Sequence, residues 1–239
     1  MAALLLVTTL LALGRGQTPG ADECAGDACV APGAAEYEES ALLQGHRAPA
    51  SMRRVDPATG GWGPEELAEH VFDAPFADSV IGFLERRGAR SVTDMGCGLG
   101  NYSRAFVSHG FQTACYDLNP ATPAVSGGLC GIQNLADKDL NLQVTDYVMS
   151  LEVGEHIPKE LEGNFLDNIA HTASRGVILS WALVGQHGHG HVNCQWNNYV
   201  IKQMEARGFT YINEDAEKLR DAAHIAAWLR EDLMVFEKS

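Results

Sequence analysis

SVTDMGCGLGNYSRAFVSHGFQTACYDLN, residues 91–119, is the stretch whose reading decides the fold. Val92, Thr93, Asp94 and Met95 end an apolar β-rich run, and Gly96, Cys97, Gly98, Leu99 and Gly100 then turn the chain into a helix beginning near Asn101. A side chain at the glycine positions would hold a ligand away from the backbone, and the first N–H groups of the helix have no intrahelical partner and can face a polar ligand. Gln112 to Asp117 reads as the next strand, ending in a carboxylate able to accept both hydroxyls of a ribose. Strand, DxGxGxG, helix and strand-end acid in register is a stronger signal than a glycine loop alone. The competing reading is a tight turn for the glycines and a turn-forming Asp117 before Asn119 and Pro120. The GxGxG spacing differs from GxGxxG, which weakens a dinucleotide reading.

Outward from this unit the chain alternates short β-rich runs with helical stretches, the pattern of a parallel sheet covered on both faces. Upstream, Pro75, Val80, Ile81 and Leu84 have helical spacing and Gly88 is placed to end that helix. Strands are predicted at Ser91–Met95, Gln112–Asp117, Leu129–Gln133, Tyr147–Leu151, Gly176–Trp181, Phe209–Asn213 and Leu233–Glu237. Helices are predicted near Tyr102–His109, Glu160–Ala173 and Asn198–Arg207. The expected fold is α/β, a doubly wound, mostly parallel seven-stranded sheet with helices on both faces.

The 239 residues, 46% hydrophobic, suffice for one sizeable core, placed at residues 64–239. Residues 17–63, rich in Ala, Gly, Pro and charge, read as an N-terminal tail. Residues 1–16 read as a signal peptide: an apolar run too short to span a membrane comfortably, then small residues suited to cleavage. The expected location is the secretory lumen or outside the cell, with an organelle reached through the same signal as the alternative. A net charge of -14 argues against a nucleic-acid backbone as partner. Of the six cysteines, Cys24 and Cys29 are a candidate pair in an oxidising compartment. Cys97, Cys115, Cys130 and Cys194 read as small buried thiols, and the absence of a CxxC pair argues against structural zinc.

Residues 94–100, within a strand order running over about residues 76–238, resemble the class I S-adenosylmethionine-dependent methyltransferases. The resemblance implies that Asp94 and the loop Gly96, Cys97, Gly98 and Gly100 hold the methionine part of the cofactor and that Asp117 holds its ribose. Leu118 would lie beside the adenine. Where that family usually has an acid after its third strand, this chain offers Asn134 next to Leu135. VMSLEVGEHIP, residues 148–158, is similar to the segment after strand four in small-molecule methyltransferases. It implies Glu152 over the cofactor and Glu155 and His156 toward the substrate.

His156 is the candidate general base, as an unperturbed imidazole near neutrality can take a proton from a hydroxyl or amine; capping of the next helix is the alternative for Glu155 and His156. His187, His189 and His191 alternate with Gly188 and Gly190 at the carboxyl edge after strand five and would share one face of an extended backbone. Substrate contact by His187 and His191, a metal completed by Glu155 or His156, and a solvated turn all stay open, and no metal is assigned. Asn193, with Trp196 and Tyr199, offers one wall of an acceptor pocket or core packing, and Trp181 reads as core. The expected activity is methyl transfer to an O, N or S atom, with a small molecule as the acceptor. The alternatives are a module of the same fold that binds cofactor or partner without turnover, and an NAD-dependent oxidoreductase. Neither GxSxG nor GxxxxGK[ST] occurs, which disfavours serine hydrolase and P-loop chemistry.

Overall fold

The computed structural model describes residues 55–239. The signal segment and the Cys24–Cys29 pairing lie outside the described residues. In chain order the elements are α1 (Ala74–Arg86), β1 (Ser91–Met95), α2 (Asn101–Ser108), β2 (Gln112–Asp117), α3 (Thr122–Val125), β3 (Gly131–Ile132), β4 (Thr145–Ser150), α4 (Glu162–Thr172), β5 (Ala173–Leu179), α5 (Asn197–Glu205), β6 (Phe209–Tyr211), α6 (Asn213–Asp221), α7 (Leu229–Asp232) and β7 (Met234–Lys238). The strands form one seven-stranded sheet in the order β3-β2-β1-β4-β5-β7-β6. All neighbours are parallel except those of β7, which runs antiparallel to both β5 and β6. The strand order reverses between β1 and β4, and open α/β sheets bind ligands outside the carboxyl ends of the strands at such a switch point.

Alternation along the central strands divides the core between two faces. Tyr147, Met149 and Ile178 pack with Phe76, Val80, Leu84 and Leu219 on one side. Val148, Val177 and Leu179 pack with Phe165, Ile169, Met204 and Phe209 on the other. This is the period-2 consequence of strand geometry, with both faces covered as a parallel sheet requires.

The structure departs from the sequence expectations at element ends. β3 keeps two residues of the predicted Leu129–Gln133, because only Tyr116↔Gly131 and Asp117↔Ile132 pair with β2. The strand predicted to reach Asn213 stops at Tyr211, and Asn213 opens α6, which no sequence signal had indicated. That helix buries only Ala216 and Leu219, so it lacks an apolar stripe; acids in its first turn and Lys218 and Arg220 in its last suit the helix dipole instead.

Two cysteine assignments change. Cys115 and Cys130 form a disulfide with Cα atoms 4.7 Å apart, not the separate thiols expected. β2 and β3 run side by side with Tyr116 opposite Gly131, so the residues just before them are brought within bonding reach. Cys97 stays a buried thiol.

Residues 55–63, read from composition as the end of the tail, fold back over the sheet edge. Val55 pairs with Trp62 in an antiparallel bridge. Asp56 closes the turn between them by accepting the Ala58 N–H at 2.9 Å and the Thr59 hydroxyl at 3.0 Å, with Gly60 at a φ of 75°.

Candidate functional site

At the carboxyl edge of β1, β2 and β4 lies a cavity of about 380 Å³. Asp94, Gly96, Cys97, Asp117, Leu118, Asn134, Leu135, Glu152, Glu155, His156, His187 and His191, all singled out from sequence, line it. Gly98, Gly100 and Asn193 do not.

The glycine loop has reasons in the fold itself for its glycines. Its glycines all have left-handed φ values, 85° at Gly96, 51° at Gly98 and 72° at Gly100. A Cβ at Gly96 would meet Val153 Cγ2 at 2.1 Å, and one at Gly98 would meet the His70 ring at 2.1 Å. The glycines are thus required by backbone conformation and by protein neighbours, before any ligand is considered. The N–H groups of Gly96 and Cys97 donate to the Tyr116 carbonyl, and that of Gly98 donates to Asp117 Oδ2 at 2.7 Å. Asp117 Oδ1 accepts the Asn119 N–H at 2.8 Å, so the carboxylate at the end of β2 is fixed to the loop beside the cavity.

Asp94 is buried at the end of β1 and accepts the Ser103 hydroxyl at 2.6 Å from the first turn of α2. Burial, reinforced by the negative charge of Asp117 and opposed by Ser103, pushes its pKa up to about 7. Asn101 and Tyr102 bring the same turn to the cavity wall.

The far side of the cavity is built from the segment after β4. Glu152 holds a left-handed φ of 54° and is pinned by Ser180, whose hydroxyl accepts its N–H at 2.9 Å and donates to its Oε1 at 2.8 Å. Gly154 leaves space for the Trp181 ring, since a Cβ there would stand 2.3 Å from it. The one-turn 3-10 helix Gly154–His156 then presents Glu155 and His156 in succession. Glu155 is completely buried, and its pKa is raised well above the usual carboxylate range by burial and by Glu152. Asp232, on α7, is pushed up to about 9 by burial and by Glu152 as well.

His156 differs from the unperturbed imidazole anticipated. Burial, with the nearby His191, His189 and His70, lowers its pKa to about 4, so the ring is neutral through the physiological range. The alternation at 187–191 does not produce one row of three histidines. A turn at His189 and Gly190, the latter with a φ of 75°, leaves His187 and His189 exposed and directs His191 beside Glu155.

Asn193 is a structural residue. Its carbonyl accepts the Trp181 indole N–H at 2.6 Å and its amide donates to Glu162 at 2.8 Å, away from the cavity. Trp181 is buried core, Trp196 is exposed, and the Tyr199 hydroxyl donates to Glu162 Oε1. None of the three lines the cavity.

Sequence reading missed the contribution of Trp62 and His70. The Trp62 ring meets His156, His70 and His189 edge-on at centroid distances of 5.1, 5.4 and 6.1 Å. Gly60 passes so near the His156 carbonyl that a Cβ would stand 2.1 Å from it. A tryptophan between glycines in a Pro-, Gly- and Ala-rich stretch was the only available signal.

No family model matches the chain. Among solved structures, it is similar to magnesium protoporphyrin IX methyltransferase from Synechocystis PCC 6803 with bound SAH. That likeness has a TM-score of 0.52 at 20% identity, covering 68% of this chain and 82% of the other. It is also similar to the SAM-bound amino pentose methyltransferase from Micromonospora echinaspora, with a TM-score of 0.53 at 14% identity over 73% of this chain and 94% of the other. This is the class I methyltransferase fold. In sequence, the chain is 31% identical over 109 residues to a probable chloroplastic tocopherol O-methyltransferase of Oryza sativa subsp. japonica. The match spans 38% of this chain and 29% of the length of the rice protein. No helix among the described residues is long and apolar enough to cross a membrane.

Proposed function

We propose that the chain binds S-adenosylmethionine at the carboxyl edge of β1 and β2 and transfers its methyl group to an O, N or S atom of a small-molecule acceptor. The observation that carries this reading is the meeting of Asp94, the glycine loop and Asp117 around one cavity, at the point where the strand order reverses. The names of the three similar proteins given above, each a methyltransferase, support it.

The residues present fit the cofactor. Asp94 faces the cavity as an acid able to meet the cationic methionine end, and Asp117, fixed by two backbone N–H groups, is placed to accept ribose hydroxyls. Leu118 and Leu135 offer apolar contact to the adenine, and Asn134 a polar one. S-adenosylmethionine supplies a methyl group on a positively charged sulfur, an electrophile that needs little activation. The protein's part is then to hold an acceptor in line and keep water out. Trp62, His156 and Leu151 also border the cavity. Glu155 and His156 are the candidates to handle an acceptor proton.

For the location we propose the secretory lumen. The Cys115–Cys130 disulfide supports an oxidising compartment, as does the apolar run at the N-terminus.

The test is turnover. Purified chain incubated with S-adenosylmethionine and fractionated small-molecule extract should release S-adenosylhomocysteine, and the methylated acceptor should appear 14 mass units heavier. No release above the level of an Asp94→Ala, Asp117→Ala variant would leave the cofactor site without transfer chemistry.

A further inference from the structure

Glu155 has an unusual position for a carboxylate. It is wholly buried, and neither of its oxygens has a hydrogen-bond partner among the described residues. Buried polar groups are nearly always satisfied, so an orphaned carboxylate calls for a partner of another kind. It faces two imidazoles, with its Oε1 lying 4.0 Å from His156 Nε2 and 4.0 Å from His191 Nε2. These distances exceed a hydrogen bond, so a shared proton does not close the gap.

The tautomers follow from the other ring nitrogens. His156 Nδ1 lies 3.1 Å from the Gly190 carbonyl and His191 Nδ1 lies 3.2 Å from the Gln186 carbonyl. A carbonyl can only accept, so each Nδ1 carries the hydrogen and, in a neutral ring, each Nε2 carries a lone pair. With Glu155 ionised, as a metal ligand must be, one carboxylate oxygen and two imidazole lone pairs, all within 4.8 Å of one another, thus converge with no donor among them. Such a grouping is repulsive unless a cation sits within it. Imidazole whose second nitrogen donates to a backbone carbonyl is also the usual outer-shell arrangement of a metal-ligating histidine.

The backbone enforces the grouping. The N–H groups of Val192 and Asn193 both donate to the Glu155 carbonyl, at 2.8 and 2.9 Å, which ties the segment carrying His191 to the turn carrying Glu155 and His156. All three side chains border the cavity.

We propose that Glu155, His156 and His191 form a binding site for one divalent cation, with its remaining coordination positions open to the cavity. Two imidazoles and one carboxylate suit Zn²⁺, Fe²⁺ or Mn²⁺, and not Ca²⁺ or Mg²⁺, which prefer all-oxygen shells. Ligands on one ion at about 2.1 Å stand roughly 3 to 4 Å apart, so loading requires the side chains to close in by up to about 1 Å. On the methyl-transfer reading above, on which this last step rests, the open positions take an oxygen of the acceptor. The ion lowers the pKa of a bound hydroxyl, whose proton passes to water, so that in the metal-loaded protein Glu155 and His156 act as ligands and not as proton acceptors.

The experiment is calorimetric titration of the chelator-treated, full-length protein with ZnCl2 and, separately, with MnCl2. The expected result is saturable binding of one ion per chain. His191→Ala and Glu155→Gln should each weaken it more than about a hundredfold, the upper end of the losses seen on removing outer-shell partners. His109→Ala, exposed at the end of α2, should leave it unchanged. S-adenosylmethionine affinity is measured on the same variants and should persist, which shows that they are folded and separates this proposal from the cofactor reading. Absence of saturable metal binding in the unaltered chain, or equal affinity in folded His191→Ala, would overturn the metal site whether or not the cofactor binds.

Discussion

At Gly98 a left-handed φ of 51° coincides with a His70 ring 2.1 Å from where a Cβ would stand. Valine there must both adopt a strained backbone and displace the ring, distorting the N–H that fixes Asp117. Gly98→Val is expected to lower S-adenosylmethionine affinity more than about tenfold by calorimetry, and undiminished affinity would contradict the role given to the loop. Asp94 supplies a pH dependence. With its pKa at about 7, above the ordinary 3.8, the empty protein holds it protonated at lower pH. A cationic ligand favours the ionised form, so affinity should rise with pH up to about 7 and flatten above it, and Asp94→Asn should abolish the slope. The same raised pKa favours the folded state while Asp94 is protonated, a contribution lost as pH rises from the ordinary carboxylate range through about 7. These residues were legible in sequence because Asp94, the glycines and Asp117 lie on one continuous strand-loop-helix-strand. His191 was legible only as one of three alternating histidines, since its separation from His187 and His189 depends on the turn at Gly190 and on backbone bonds to Glu155.

Among the elements, α1 is held at its start by a residue that reaches beyond its own helix. Asp73 Oδ1 caps α1 through the Phe76 N–H, while Oδ2 accepts the N–H groups of His224, Ile225 and Ala226 at 2.7, 2.6 and 3.0 Å. One carboxylate thereby fastens the first helix to the segment before α7. Asp73→Ala removes the cap and strands several N–H groups, and should reduce unfolding free energy by about 2–4 kcal/mol in urea titration. A loss below about 0.5 kcal/mol would show that water satisfies these donors. The helix itself was readable from Pro75 and the apolar spacing, but its anchorage to residues 224–226 was not, because nothing local marks a cap that also serves a distant loop. Segment 55–62 was missed for the complementary reason: composition alone marked it as tail, whereas Asp56, Gly60 and Trp62 give it a specific turn and a place against His156.

Across the whole molecule, alternating β-rich and helical runs sufficed to predict seven strands, mostly parallel, and the reversed β7 fits within that layer. The Cys115–Cys130 link was not legible, as pairing needs the β2–β3 register and β3 contributes only two residues. The bond closes a loop of 15 residues, so Cys115→Ser should reduce stability by about 3 kcal/mol if loop entropy dominates, checked by denaturant titration with and without reductant. A variant as stable as the parent would assign the bond no such role. Asp94 and Asp117 both line the same cavity at the carboxyl edge of the sheet, and the most direct measurement is titration of the purified chain with S-adenosylmethionine beside its Asp117→Ala variant. One saturable site is expected, weakened more than about tenfold in the variant through loss of charge-assisted bonds to the ribose. No saturable binding by the unaltered chain, or equal binding by a folded Asp117→Ala variant, would contradict the cofactor site.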